Sequence, residues 1–152
     1  VAAVSLFHPD IAIDPAAQAL VRDWTGNLRS GRFRQATGRL RTDLGWCALG
    51  VACHTYDRRH WRHDTEAWTY LDCREELPVE VADAFRLRTA CGRYGLGGSQ
   101  SLVLDNDEGR TFAELADLID RQLASAIARR RRRAPRVGTN ARLVAGGRGA
   151  HR

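Results

Sequence analysis

Cys47 stands where a thiol could do chemistry. A basic, glycine-bounded loop, Gly38-Arg39-Leu40-Arg41-Thr42-Asp43-Leu44-Gly45-Trp46, runs into the small-residue stretch Cys47-Ala48-Leu49-Gly50-Val51-Ala52-Cys53-His54. At a helix N-terminus the unpaired amides favour a thiolate, and Arg39 or Arg41 would add to that field. With His54, His60 or His63 as base and Asp105, Asn106 or Asp107 as orienting group, Cys47 would serve a cysteine-dependent hydrolase or amidase. His54, however, lies seven residues on, roughly 10 Å along the same helix at the α-helical rise, too far to take the Cys47 proton. Cysteine is also among the residues most often buried as an inert small hydrophobe, so burial outweighs catalysis and a non-enzyme is favoured.

The remaining constellations are weaker. Cys53, His54, His60, His63 and Cys73 have the chemistry of zinc ligands, but their spacing matches no paired Cys-x-x-Cys or His-x(3–5)-His pattern, and His8 and His151 are remote. Asp105, Asn106, Asp107 and Gly109 bunch oxygens as a hard cation wants, yet an EF-hand places glycine sixth and glutamate twelfth, and this segment does neither. Gly95-Leu96-Gly97-Gly98-Ser99 lacks the Walker lysine and opens no clear helix, so it reads as a connector. No metal and no cofactor is expected.

Charge changes sign along the chain. All 24 basic residues are arginine, with no lysine and no methionine. Fifteen arginines and all 18 acidic residues precede position 129, a balance of −3; nine arginines and no acid follow, +9. Any affinity for polyanions belongs to the tail, where Arg129, Arg130, Arg131, Arg132 and Arg133 would contact nucleic acid without sequence preference. No aromatic is interleaved there for base stacking. The arginine-rich, lysine-free composition suits a GC-rich genome, in which Val1 would be a start codon read as valine; a trimmed N-terminus is the other reading. No secretory signal and no apolar run near the roughly 20 residues of a membrane span is present. With four cysteines, this makes a reduced, cytoplasmic chain with no membrane partner the expectation.

These features need elements to position them. Residues 1–13 read as an arm or short strand, and residues 14–128 as one globular domain. Asp14-Pro15 opens a helix to Ser30 with Leu20, Val21, Trp24 and Leu28 on one stripe. A short strand falls near Gly38–Arg41, a buried helix over Cys47–Tyr56, a polar loop over Arg58–Glu66 and a second strand at Trp68–Leu71. Leu77-Pro78 starts a helix that Leu87 closes. Residues 88–101 read as a flexible connector, and Ser101–Leu104 as a strand entering an acidic turn, Asp105–Gly109. Thr111-Phe112-Ala113-Glu114 fits a capping box, so a helix begins there, its stripe of Phe112, Leu115, Ala116, Ile119, Leu123 and Ile127 facing inward. It frays within Arg129–Arg133, and residues 129–152 are expected to be a disordered arginine-rich tail. The fold class is α+β, helix-dominated, with about four helices and two or three short strands.

Several boxes recur in one order: Arg29-Ser30-Gly31, Gly38-Arg39-Leu40-Arg41, Gly45-Trp46-Cys47-Ala48-Leu49-Gly50-Val51, Leu77-Pro78-x-Glu80-Val81, and Asn106-Asp107-x-Gly109-x-Thr111-Phe112-x-Glu114-Leu115-Ala116-Asp117. Over about residues 20–123 the chain resembles a group of small uncharacterised proteins of actinobacteria and their bacteriophages. The resemblance implies a phage or host-accessory context and no established activity. It marks Arg39–Gly50 and Asn106–Thr111 as two walls of one site, with Arg39, Arg41, Asp105, Asn106 and Asp107 as ligand-binding residues. The expected function is therefore a non-catalytic binding or interaction protein with a protein or small-molecule ligand. The cysteine hydrolase and a nucleic-acid accessory factor acting through the tail are the alternatives.

Overall fold

Asp14 accepts a hydrogen bond from the Ala17 amide at 2.9 Å and, with Pro15 behind it, starts α1 (Pro15–Arg29) where the sequence places it. This computed structural model describes residues 1–135. Val21, Trp24 and Leu28 of α1 face the core, and the Trp24 indole donates to the Ala48 carbonyl at 2.9 Å while meeting Phe85 edge to face at 5.1 Å. That bond ties α1 to α2 (Ala48–Asp57), which Cys47 caps. The longest element, α5 (Phe112–Arg133), begins in the expected reciprocal capping box of Thr111 and Glu114. It packs along α1 through Leu115, Ala116, Ile119 and Leu123, and Arg29 clasps Asp117 at 2.8 Å and Asp120 at 2.7 Å on the outer side.

Short strands fill in around these helices. A β2–β3 hairpin (Arg41–Thr42 and Gly45–Trp46) precedes α2; β4–β5 (Trp61–His63 and Trp68–Tyr70) follows it after a single 3₁₀ turn, Arg58–His60. β1 (Ala3–Val4), β6 (Arg93–Leu96) and β7 (Gln100–Ser101) form an antiparallel sheet in the order β1-β6-β7. With α3 (Val79–Ala84) and α4 (Leu102–Asp107), the described residues form five helices and seven short strands in one α+β domain.

Four expectations are corrected. The arm belongs to the core: Leu6 and Phe7 are fully buried, and the Leu6 amide donates to the Gln122 side chain of α5 at 3.1 Å. The supposed loops at 58–66 and 88–101 contain β4 and β6–β7, because cross-strand pairing satisfies backbone groups that a local reading leaves unpaired. Ser101–Leu104 is not a strand, and the acidic turn is mostly helix. Ser101 accepts from the Leu104 amide at 3.2 Å and so caps α4, which runs on through Asp105, Asn106 and Asp107. Residues 129–133 are helical, since arginine is a good helix former and cations favour a helix C-terminus. The rest of the expected tail, 136–152, lies outside the described residues.

The glycines of the Gly45-Trp46-Cys47-Ala48-Leu49-Gly50 box have a steric reason. A Cβ on Gly45 would overlap the Arg34 carbonyl oxygen, and one on Gly50 the Leu40 carbonyl oxygen. The 34–40 segment therefore lies directly on α2, backbone against helix. Gly50→Ala should force that segment away and destabilise the domain by about 1–3 kcal/mol. Urea unfolding monitored by tryptophan fluorescence measures this, and an unchanged midpoint would refute the close-packing account.

Candidate functional site

The two segments marked as walls of a site do meet, and their polar atoms are engaged with each other. Asn106 is buried, and its Oδ1 accepts from the Ala48 amide at 3.2 Å and from Gln35 Nε2 at 2.9 Å. Its Nδ2 donates to the Ala36 carbonyl at 2.9 Å and to Asp107 Oδ1 at 3.4 Å. Asp107 in turn accepts from the Gly38 amide at 3.0 Å. Asp105 is buried too: the Tyr94 hydroxyl donates to its carboxylate, and Arg110 Nε lies 3.9 Å from its other oxygen. Burial, then the bond to Asp105, raises the Tyr94 hydroxyl above its ordinary pKa. The arrangement is a joint between α4, α2 and the 35–38 segment, not a ligand pocket. Asp105 and Asn106 are closed off by their partners, while Arg39 is exposed beside the joint.

Cys47 is likewise structural. Its Sγ accepts from the Gly50 amide at 3.4 Å, closing the first turn of α2, and burial pushes the thiol up to about 11, opposite to what a nucleophile needs. His54 packs elsewhere, meeting Phe33 edge to face at 5.1 Å and Trp46 at 6.2 Å. All four cysteines are free, and among the described residues no three His, Cys, Asp or Glu side chains gather as metal ligands. Gly95 and Leu96 end β6, and Gly97, Gly98 and Ser99 connect it to β7.

What the two hairpins build instead centres on Arg41. Its guanidinium carbon lies 3.5 Å from the ring centre of Trp68, 4.9 Å from that of Trp46 and 5.4 Å from that of Trp61. β2 brings Arg41, β3 Trp46, β4 Trp61 and β5 Trp68, so four strands of two to three residues each supply one side chain. Trp61 and Trp68 stand perpendicular at 6.5 Å, and Trp61 meets Tyr70 at 5.0 Å. Asp43 accepts from Trp68 Nε1 at 3.0 Å and lies 3.5 Å from His63 Nε2, holding the outer edge. Among the described residues the Arg41 guanidinium has no hydrogen-bond acceptor, and neither do the buried indole nitrogens of Trp46 and Trp61. The cluster is rich in donors and short of acceptors. Burial lowers the Arg41 pKa, partly offset by Asp43, but an arginine remains charged at any physiological pH.

Sequence reasoning named Arg41 but missed its three tryptophans. The signal was present in the aromatic ends of Trp61-Arg62-His63 and Trp68-Thr69-Tyr70, which alternate as paired strands do. Two cavities open elsewhere: about 630 Å³ between the N-terminal arm, Arg88 and the end of α5, and about 650 Å³ between α1 and α5. Among the described residues no helix is long and apolar enough to cross a membrane.

A family model described as a domain of unknown function (DUF8296) matches residues 17–123. No curated protein and no solved structure matches the chain. The matched span contains the Asn106 joint and the whole Arg41 cluster; of the residues lining the first cavity it contains only Arg88.

Two measurements probe this region. Asn106→Ala orphans the Ala48 amide and the Ala36 carbonyl, and at about 1–3 kcal/mol for each buried unpaired group it should cost roughly 3 kcal/mol in urea unfolding; a loss below about 1 kcal/mol would mean the joint is dispensable. His54 is held below its ordinary pKa by burial and then by Arg41, Arg58 and Arg32. The unfolded chain therefore takes up the proton first as pH falls through about 6.5, so stability is full at neutral pH and declines on acidification. His54→Gln should flatten the dependence of the unfolding midpoint between about pH 7 and 5, and a slope equal to that of the wild type would refute the assignment.

Proposed function

The chain belongs to the DUF8296 family over residues 17–123, and from the chemistry of the Arg41 face we propose a non-catalytic interaction protein that grips an acidic, apolar-flanked segment of a partner protein. The observation that carries this is the arginine stacked on Trp68 and walled by two further tryptophans, with no acceptor for its N–H groups among the described residues. Stacking uses the face of the guanidinium and leaves its edge, the fork that binds a carboxylate through two parallel hydrogen bonds. Held by aromatic rings, the fork loses little rotational freedom on binding, which favours affinity. Tryptophan and arginine are also the residues that dominate binding energy at protein interfaces.

Leu44 supports the same reading. It sits at the turn of the β2–β3 hairpin with 73% of its surface exposed, next to Asp43, and nothing in the fold of the domain needs an apolar side chain there. A partner carrying a carboxylate beside a hydrophobic residue would meet Arg41 with the first and Leu44 with the second. We propose a phage or host-accessory setting for such an adaptor, on the strength of the resemblance to actinobacterial and phage proteins. Four free thiols fit a reducing compartment such as the cytoplasm.

Selection of random peptides on the immobilised full chain tests the proposal. Enriched peptides should share an acidic residue beside an apolar one. Arg41→Gln should weaken them by about 30-fold, as expected of an anchor worth about 2 kcal/mol, and Leu44→Asp, at an exposed turn where folding is safe, by about tenfold. Enrichment of peptides without carboxylates, or unchanged binding by both variants, would overturn it.

A further inference from the structure

A second surface, independent of the Arg41 face, lies where the N-terminal arm crosses the end of α5. There Val4, Phe7, Ile13 and Ala126 form the apolar floor of the 630 Å³ groove, and Arg88, Arg129, Arg130 and Arg133 contribute to its walls. None of these four arginines has a carboxylate partner among the described residues. Arg88 is fixed at the rim through backbone carbonyls, with Nε donating to Ser5 at 3.3 Å and Nη2 to Arg93 at 3.5 Å. Arg129 and Arg133 lie one turn apart, about 6 Å along the helix axis. Five consecutive arginines repel one another on successive turns, so the end of α5 holds uncompensated charge that an anionic partner would neutralise.

We infer that this groove binds the phosphodiester backbone of a nucleic acid. Guanidinium forks match phosphate oxygens, and a concave floor bounded by cations suits a linear polyanion better than a flat lipid surface. A membrane-bound helix would instead lay its own apolar stripe on the bilayer, whereas that of α5, through Leu115, Ile119 and Leu123, is buried against the rest of the domain. Positive charge also continues in sequence beyond the groove, with Arg136, Arg142, Arg148 and Arg152 and no acidic residue after position 128. A linear repeating anion can engage Arg88, Arg129, Arg130 and Arg133 together; a single carboxylate can engage only part. Of the two aromatic rings lining the groove, Phe7 is fully buried and His8 is half-buried, with its Nδ1 accepting from the Asp10 amide at 3.1 Å, so the grip falls on phosphates and carries little sequence information.

Arg131 and Arg132 provide the control. They carry the same charge on the same helix but do not line this groove; Arg131 borders the cavity on the α1 side instead. Fluorescence anisotropy with the full chain and labelled 20-nucleotide probes, single-stranded and duplex, should show binding at 50 mM salt that weakens steeply by 200 mM. Arg130→Gln/Arg133→Gln should lose at least tenfold in affinity at 100 mM salt and reduce the slope of log K against log salt by about two. Arg131→Gln/Arg132→Gln should lose less than threefold. Binding by either probe form supports the groove, and the tighter form identifies the occupant. Equal losses in the two variants would show that net charge alone binds, and equal affinity for polyglutamate would show an acidic protein as partner. Either result, or no binding at 50 mM salt, overturns the inference.

Discussion

The buried carboxamide of Asn106 is the interaction on which the rest of the domain depends. It reaches from α4 to the first amide of α2, to the Gln35 side chain and to the Ala36 carbonyl. A helix N-terminus normally leaves four amides without partners; here Cys47 takes the Gly50 amide from within the chain and Asn106 takes the Ala48 amide from another element. Once α2 is anchored in this way, the Trp24 indole can bond to the Ala48 carbonyl and bring α1 against it. The 34–40 segment is pinned at the same time: the close approach of Leu40 to α2 requires glycine at 50, and that of Arg34 to β3 requires glycine at 45.

That pinning delivers Arg41. The residue follows Leu40, whose backbone amide donates to the Arg74 carbonyl at 2.7 Å and whose carbonyl accepts from Cys47 at 3.1 Å. The start of β2 is thus fixed from both sides. Hairpins of two or three residues per strand are too short to be stable alone. They persist because one faces the joint and the other closes over it, with the arginine and its tryptophans filling the seam. A half-buried cation with no carboxylate bonded to it is costly unless something replaces the hydration it loses; the faces of three indole rings do so in part, and the guanidinium edge keeps its capacity for an acceptor. Packing and recognition are in this way carried by the same side chains.

Much of this was legible locally. The start of α1 at Asp14-Pro15 and the capping box of Thr111 and Glu114 were readable because capping is a matter of residues three apart. The inward stripes of α1 and α5 followed from helical periodicity. β6 and β7 were not readable, since Arg93–Leu96 and Gln100–Ser101 are short and glycine-flanked and become strands only by pairing, β6 with Ala3–Val4 from the far end of the chain. The helix α4 was mistaken for a strand and turn because Ser101-Leu102-Val103-Leu104 is a short apolar run that suits either state. Its serine cap decided the matter once tertiary contacts fixed the backbone. Cys47 looked reactive for a sound reason, its place at a helix N-terminus, but thiolate stability depends on exposure, and the overlying 34–40 segment and α4 remove it from water.

The sequence by itself determined the α+β class, the principal helices with their caps and inward faces, and the division between a mildly acidic body and an arginine-rich end, because each depends on neighbours a few residues apart. The resemblance marked Arg39–Gly50 and Asn106–Thr111 as neighbours, and the Ala48 amide does bond to Asn106. Only the tertiary structure decided what that partnership is. Whether a polar side chain faces a ligand or another part of the chain depends on which distant donors and acceptors reach it, and at Asn106 they come from residues 58 to 71 positions away. The same long-range assembly gathers Arg41 and three tryptophans from four separate strands and sets Arg88 beside the end of α5. No local pattern of residues encodes such distances.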